Sequence, residues 1–130
     1  MSRTALIVED EIFVALDLER ILTDAGYTVI AIAADEAEAR AAAAQCQFAF
    51  VDINLRDGPS GPAIARAIAR DHGVRVVFVT ANPSQIDKAS PALGFLRKPF
   101  SEAQVLAAAA LASNDDGSDC KAALAAIRLG

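Results

Sequence analysis

Charged and hydroxyl side chains recur at one kind of position in this sequence, immediately after a short apolar run. ALIV (5–8) leads into Glu9, Asp10 and Glu11, and FAFV (48–51) leads into Asp52. RVVFVT (75–80) ends on Thr80, and GFLR (94–97) leads into Lys98 and Pro99. Carboxylates brought together repel one another, and withdrawing them from water is costly unless a cation compensates. Oxygen donors without a nearby His or Cys suit a hard divalent cation, Mg²⁺ or Mn²⁺, and disfavour zinc. Lys98 supplies a fixed positive charge for an anionic oxygen that a metal leaves uncovered. A carboxylate nucleophile, a divalent cation, a hydroxyl donor and a lysine together describe phosphoryl transfer to an aspartate, a reaction that runs mainly on positioning and charge neutralisation.

These residues converge only if the runs that precede them are parallel strands of one sheet. Five runs, 5–8, 28–33, 48–51, 75–80 and 94–97, read as strands, several without polar alternation, as strands covered on both faces require. Helical spacing separates them. Val14, Leu18, Ile21, Leu22 and Ala25 form a stripe closed by Gly26. Asp35 with Glu38 forms an N-cap pattern opening an alanine-rich helix over 36–46. Ser60 caps a third helix with Ile64 and Ile68 inward, and Ser101 with Gln104 repeats the capping pattern before VLAAAALA. Between the fourth and fifth strands, Pro83 and Pro91 leave room for two turns of helix at most. Alternating strands and helices with right-handed crossovers predict an α/β doubly wound parallel sheet, whose ligands bind beyond the carboxyl ends of the strands. That edge is where the acids, Thr80 and Lys98 fall.

Composition narrows the function classes. At 130 residues, 54% hydrophobic and 22% charged, the chain has the make-up of one globular domain. A net charge of −5 without clustered basic residues argues against a nucleic-acid surface. Cys46 and Cys120 match no metal spacing and read as free thiols. No apolar run approaches the roughly 18 residues of a membrane span, so a cytoplasmic protein is expected.

The set VED, VDINL, VTA and FLRKPF resembles the receiver domain of two-component response regulators. The resemblance covers nearly the whole chain, roughly residues 4–112, and implies a receiver domain over 1–112, leaving 113–130 as a polar linker and a short C-terminal helix or tail. It implies a flavodoxin-like five-stranded sheet in the order 2-1-3-4-5 with helices on both faces. It also implies Asp52 as phospho-acceptor, with Glu9, Asp10, Asp52 and the Asn54 backbone carbonyl around Mg²⁺ or Mn²⁺. Thr80 and Lys98 would each bind a phosphoryl oxygen, and Phe95 falls where the family keeps its switch aromatic. Asn54 and Asn82 flank the path of attacking water and would tune hydrolysis. The Lys98–Pro99 bond would be cis. The implied partner is a histidine kinase or histidine phosphotransfer protein, with a downstream protein target. The implied protein is a single-domain, non-enzymatic regulator, monomeric or weakly dimeric, touching neither nucleic acid nor membrane.

The sequence departs from the family pattern at two places. Glu9 stands where many members have Asp, and the stretch from Thr80 to Lys98 is short, so the fourth helix is shortened or absent. Plain structural roles compete for several residues. Glu11 reads as solvated, His72 as a C-cap contact, Asn82 as an N-cap and Phe95 as core or switch; Arg56, Asp57 and Gly58 share a mobile loop. An aspartate-nucleophile phosphatase would need a second Asp where Asn54 stands. A phosphate-independent docking module would have lost an acid or the lysine.

Overall fold

The computed structural model describes residues 3–55, 58, 60–86 and 92–113. Five strands, β1 (Thr4–Val8), β2 (Thr28–Ala33), β3 (Phe48–Asp52), β4 (Arg75–Thr80) and β5 (Gly94–Arg97), pair in parallel in the order β2-β1-β3-β4-β5. Four helices connect and cover them: α1 (Ile12–Asp24), α2 (Glu36–Ala43), α3 (Gly61–His72) and α4 (Glu102–Ser113). The expected flavodoxin-like topology is the observed one.

Strand alternation divides the interior into two cores. Ile7, Phe48, Phe50, Val77, Val79 and Leu96 face α1 and α4, where Leu18, Leu22, Val105 and Ala109 meet them. Leu6, Val8, Ala49, Val51 and Phe78 face α2 and α3 and pack against Ala39, Ala43, Ile64 and Ile68. β1, β3 and β4 thus bury both faces, which is why their sequences lack polar alternation, while the edge strands β2 and β5 are mostly half-buried. Phe48 stacks edge-on against both Tyr27 and Phe50, with ring centroids 5.5 and 5.9 Å apart.

The helix ends follow local chemistry. At the end of α1, Gly26 has φ of 95°, its N–H donates to Thr23 O, and the Tyr27 N–H donates to Leu22 O, the two bonds of a Schellman motif. Asp35 Oδ1 accepts from the Glu38 N–H at 2.9 Å, while Glu38 Oε1 accepts from the Ala34 N–H at 2.9 Å. Ser101 and Gln104 form the full reciprocal capping box. Two expectations change. Helix α2 ends at Ala43 instead of reaching 46, because Gln45 and Cys46 close it through turn bonds to Ala42 and Ala43. Ser60 occupies the N-cap position of α3 with helical dihedrals and makes no side-chain cap bond there. The C-cap of α3 is Gly73, at φ of 66°, with His72 one residue earlier.

Between β4 and β5 the described residues hold one 3₁₀ turn, Pro83–Gln85, and no α-helix. The rest of that segment, residues 87–91, lies outside the described residues, as do Arg56, Asp57, Cys120 and the expected linker and tail from 114 onward. Cys46 is a buried free thiol whose Sγ lies 3.3 Å from Ala42 O, and burial pushes it up to about 11.

Candidate functional site

Backbone ladders extend one residue past the strands and set the height of the site. The Glu9 N–H donates to Ala33 O, prolonging the β1–β2 register, and the Lys98 N–H donates to Thr80 O, prolonging β4–β5, each at 2.9 Å. Side chains alternate across a sheet, so Glu9 follows Ile7, Asp52 follows Phe50 and Lys98 follows Leu96 onto the α1/α4 face. Thr80 follows Phe78, and Phe95 lies beside Phe78 in the register, both on the α2/α3 face.

The first group forms a tight ionic cluster. Lys98 Nζ lies 3.1 Å from Asp52 Oδ2 and 3.1 Å from Glu9 Oε1, with Glu11 Oε2 farther out at 3.5 Å. Glu9 and Asp52 are buried, while the Glu11 side chain is 65% exposed. Asp52 Oδ1 accepts from the Asn54 N–H at 3.1 Å, and Glu9 Oε2 accepts from the Glu11 N–H at 3.2 Å. Thr80, also buried, accepts the Asn82 N–H on Oγ1 at 2.9 Å, and Phe95 packs half-buried against the α2/α3 core. The Lys98–Pro99 peptide bond is cis.

Burial at this edge works against the charge on Glu9. Glu9 rises from its ordinary 4.5 to about 7, chiefly through burial, then through a hydrogen bond to Asp52 and the charge of Asp52. The Glu11 N–H and the Lys98 charge pull it back only partly. Burial opposes the charge on Lys98, but its hydrogen bond to Asp52 and the charges of Glu9 and Asp52 hold its ammonium above the usual value. One ammonium therefore does not neutralise the cluster.

The residues fit a divalent cation. Glu9, Asp10 and Asp52 each offer a carboxylate oxygen within 4.8 Å of the others. Glu9 Oε1 is buried, and the group the structure places against it is the Lys98 ammonium at 3.1 Å, which is shared with Asp52 and Glu11. Three carboxyl groups converging on one point with a single shared ammonium are a donor set of hard oxygens that suits a divalent cation.

Two features at the site escaped the sequence reading. Gly61, the first residue of α3, packs on the backbone at the end of β3: a Cβ there would lie 2.6 Å from Ile53 Cα and closer still to Asp52 O. Its N–H donates to Ile53 O at 3.0 Å, locking the start of α3 to the chain just past Asp52. Nothing in GPSGPA distinguishes this glycine from Gly58 in the preceding turn. The other is the mouth of the site, where Ile12, Phe13 and Leu16 are 56%, 84% and 45% exposed on α1. Phe13 also lines a groove of about 620 Å³ with Val14, Asp17, Lys98, Pro99 and Phe100, which reaches the lysine.

Residues 5–110 match the response regulator receiver domain family. The chain belongs to that family. It is 34% identical over 113 residues to the phyllosphere-induced regulator PhyR of Methylorubrum extorquens AM1, a match covering 82% of this chain and 42% of that protein. The receiver domain of Erythrobacter litoralis PhyR superposes with a TM-score of 0.77 at 31% identity, covering 85% of this chain and 89% of that one. The anti-anti-sigma factor PhyR from Bartonella quintana superposes with a TM-score of 0.73 at 26% identity, covering 93% of this chain and 52% of that one. This receiver therefore spans less than half of the curated PhyR and about half of the Bartonella protein.

Proposed function

We propose that this receiver accepts a phosphoryl group on Asp52 from a phosphohistidine and thereby changes its binding to a protein partner. The observation that supports this reading most directly is the buried Asp52 carboxylate, held by the Asn54 N–H on one oxygen and by the Lys98 ammonium on the other, beside two further acids. Glu9, Asp10, Asp52 and the Asn54 carbonyl would hold Mg²⁺ or Mn²⁺. The bound cation supplies neutralisation of charge on the transferring group.

In the reaction, an Asp52 oxygen attacks phosphorus, the phosphorus–nitrogen bond of the donor breaks, and its electron pair returns to the imidazole, leaving an acyl phosphate on Asp52. The Asn54 N–H orients Asp52 for the attack. Lys98 gives up its contact with Asp52 Oδ2 and binds a phosphoryl oxygen, and the Thr80 hydroxyl binds another. Phe95, on the face shared with Thr80, repacks and carries the change to the surface. Asn54 and Asn82 govern access of water to the acyl phosphate. This is signalling chemistry at one aspartate, with a histidine kinase or phosphotransfer protein as donor and a downstream protein as reader. We place it in the cytoplasm, as a monomer or weak dimer; no described helix is long and apolar enough to cross a membrane.

The test is incubation with Mg²⁺ and a small phosphodonor, followed by intact mass. Wild type gains one phosphate and Asp52→Asn gains none. Equal labelling of both would sink the acceptor assignment, and labelling of neither would favour a receiver fold used for docking without phosphate.

A further inference from the structure

Glu11 reads in the sequence as the solvated start of a helix, and its geometry says more. Its backbone does the structural work: the carbonyl accepts the Ala15 N–H at 3.0 Å, and the N–H donates to Glu9 Oε2. The side chain makes no cap bond to α1. Instead its carboxylate stands at the mouth of the site, 65% exposed, 3.5 Å from the Lys98 ammonium. The other side of that ammonium touches Asp52 at 3.1 Å. One lysine thus bridges an exposed acid and the buried acceptor.

The consequence is a matter of charge. Lys98 and a divalent cation together would balance Glu9, Asp10 and Asp52, and Glu11 then leaves the mouth net negative toward an arriving phosphoryl group. We infer that Glu11 is a specificity-determining residue that disfavours free, multiply charged phosphodonors relative to a phosphoryl group presented by a protein. A protein donor can offset the repulsion by covering Ile12, Phe13 and Leu16, exposed on α1 just after Glu11, where Phe13 lines the groove that also reaches Lys98. A small molecule cannot. This inference rests on Asp52 being the acceptor.

Coulomb's law sets the scale. At roughly 6 Å in a water-like dielectric, one charge on Glu11 slows a donor by about threefold per unit of donor charge. Acetyl phosphate carries about two charges near neutral pH and phosphoramidate about one, so removal of Glu11 is worth roughly tenfold and threefold respectively. Salt near 1 M, with a screening length of ~3 Å, should erase both gains.

The experiment compares wild type, Glu11→Gln, Glu11→Asp and Asp52→Asn by intact-mass time courses at saturating Mg²⁺ and low ionic strength. Glu11→Gln is expected to label faster, more so with acetyl phosphate than with phosphoramidate, while Glu11→Asp stays near wild type. A Mg²⁺ titration without any donor supplies the opposite sign, because losing the same charge weakens cation binding by a few-fold. Unchanged rates, or equal acceleration with both donors, would overturn the role of Glu11 while leaving Asp52 as acceptor. Failure of every form to label would refute the acceptor reading itself and the donor selection built on it.

Discussion

Replacing Glu9 with glutamine should stabilise the metal-free protein while impairing its site, and the pH dependence of that trade is calculable. Glu9 is buried beside Asp52 and holds its proton up to about 7 in the folded chain, against 4.5 ordinarily. Below about pH 4.5 the carboxyl is neutral in both folded and unfolded states. As pH rises toward 7 the unfolded chain loses this proton and the folded one keeps it, so native stability drains away across that window. The full separation corresponds to about 3 kcal/mol by pH 8. Glutamine imitates the protonated form, including its hydrogen bond to Asp52, at every pH. For a domain of this size each kcal/mol moves the melting temperature by roughly 3–6 °C, so Glu9→Gln should melt on the order of 10 °C above wild type at pH 8. Near pH 4.5 the two should nearly coincide.

Thermal melts followed by far-ultraviolet circular dichroism in EDTA, from pH 4.5 to 8.5, measure this directly. The same series in millimolar Mg²⁺ should narrow or reverse the gap, because ligand binding to the native state stabilises the wild type selectively. Parallel pH curves for the two proteins in EDTA, or a Glu9→Gln protein less stable than wild type at pH 8, would refute the reasoning. Either result would mean that Lys98 already compensates the buried charge.

Three other perturbations have defined outcomes. Gly61→Ala puts a methyl group into the backbone of Asp52 and Ile53 and should cost about 1–3 kcal/mol in urea denaturation, with slower labelling of Asp52; a variant as stable as wild type would show that α3 can shift freely. Lys98→Met leaves Glu9 and Asp52 facing each other and should cost roughly 2 kcal/mol, less than the ~3–5 of a fully buried pair because Lys98 is 19% exposed. That loss should grow from pH 5 to pH 8, and a flat profile would count against the ion cluster. Thr80→Ala should still label at Asp52 but leave the Phe95 aromatic resonances in their unphosphorylated positions; a wild-type shift in that variant would remove Thr80 from the switch.

The fold was legible because each signal in it is local. Apolar runs without alternation marked strands buried on both faces, and the caps at Asp35 and Ser101 formed with the partners that their spacing implies. Errors appeared where a choice depends on turn closure. Residues 44–46, AQC, follow the alanine-rich run of α2 without its geometry, since turn bonds from Gln45 and Cys46 to Ala42 and Ala43 end the helix there. Ser60 has the right residue type for a cap, but its backbone is already helical, which takes its side chain out of capping position. The site residues were visible as a list because a parallel sheet collects whatever follows its strands at one edge. Gly61 was invisible because its importance lies in a tertiary approach to Asp52, and close backbone contact leaves no pattern in a single sequence.

What a list could not convey is the division of the site by the two-residue period of the strands. Glu9, Asp52 and Lys98 share one parity with the α1/α4 core, and Thr80 and Phe95 share the other. The ionic cluster that would carry the chemistry and the pair that would report it therefore leave their strands with opposite parity at one edge of the sheet, joined through the Lys98 N–H to Thr80 O bond at 2.9 Å. Any group added to Asp52 that draws Lys98 off its present contacts pulls on the backbone bonded to Thr80. A shift of β5 at this edge also carries Phe95, because strand residues move as a unit along their ladder. In the proposed switch, communication across the sheet thus needs no long pathway, only the last hydrogen bond between β4 and β5.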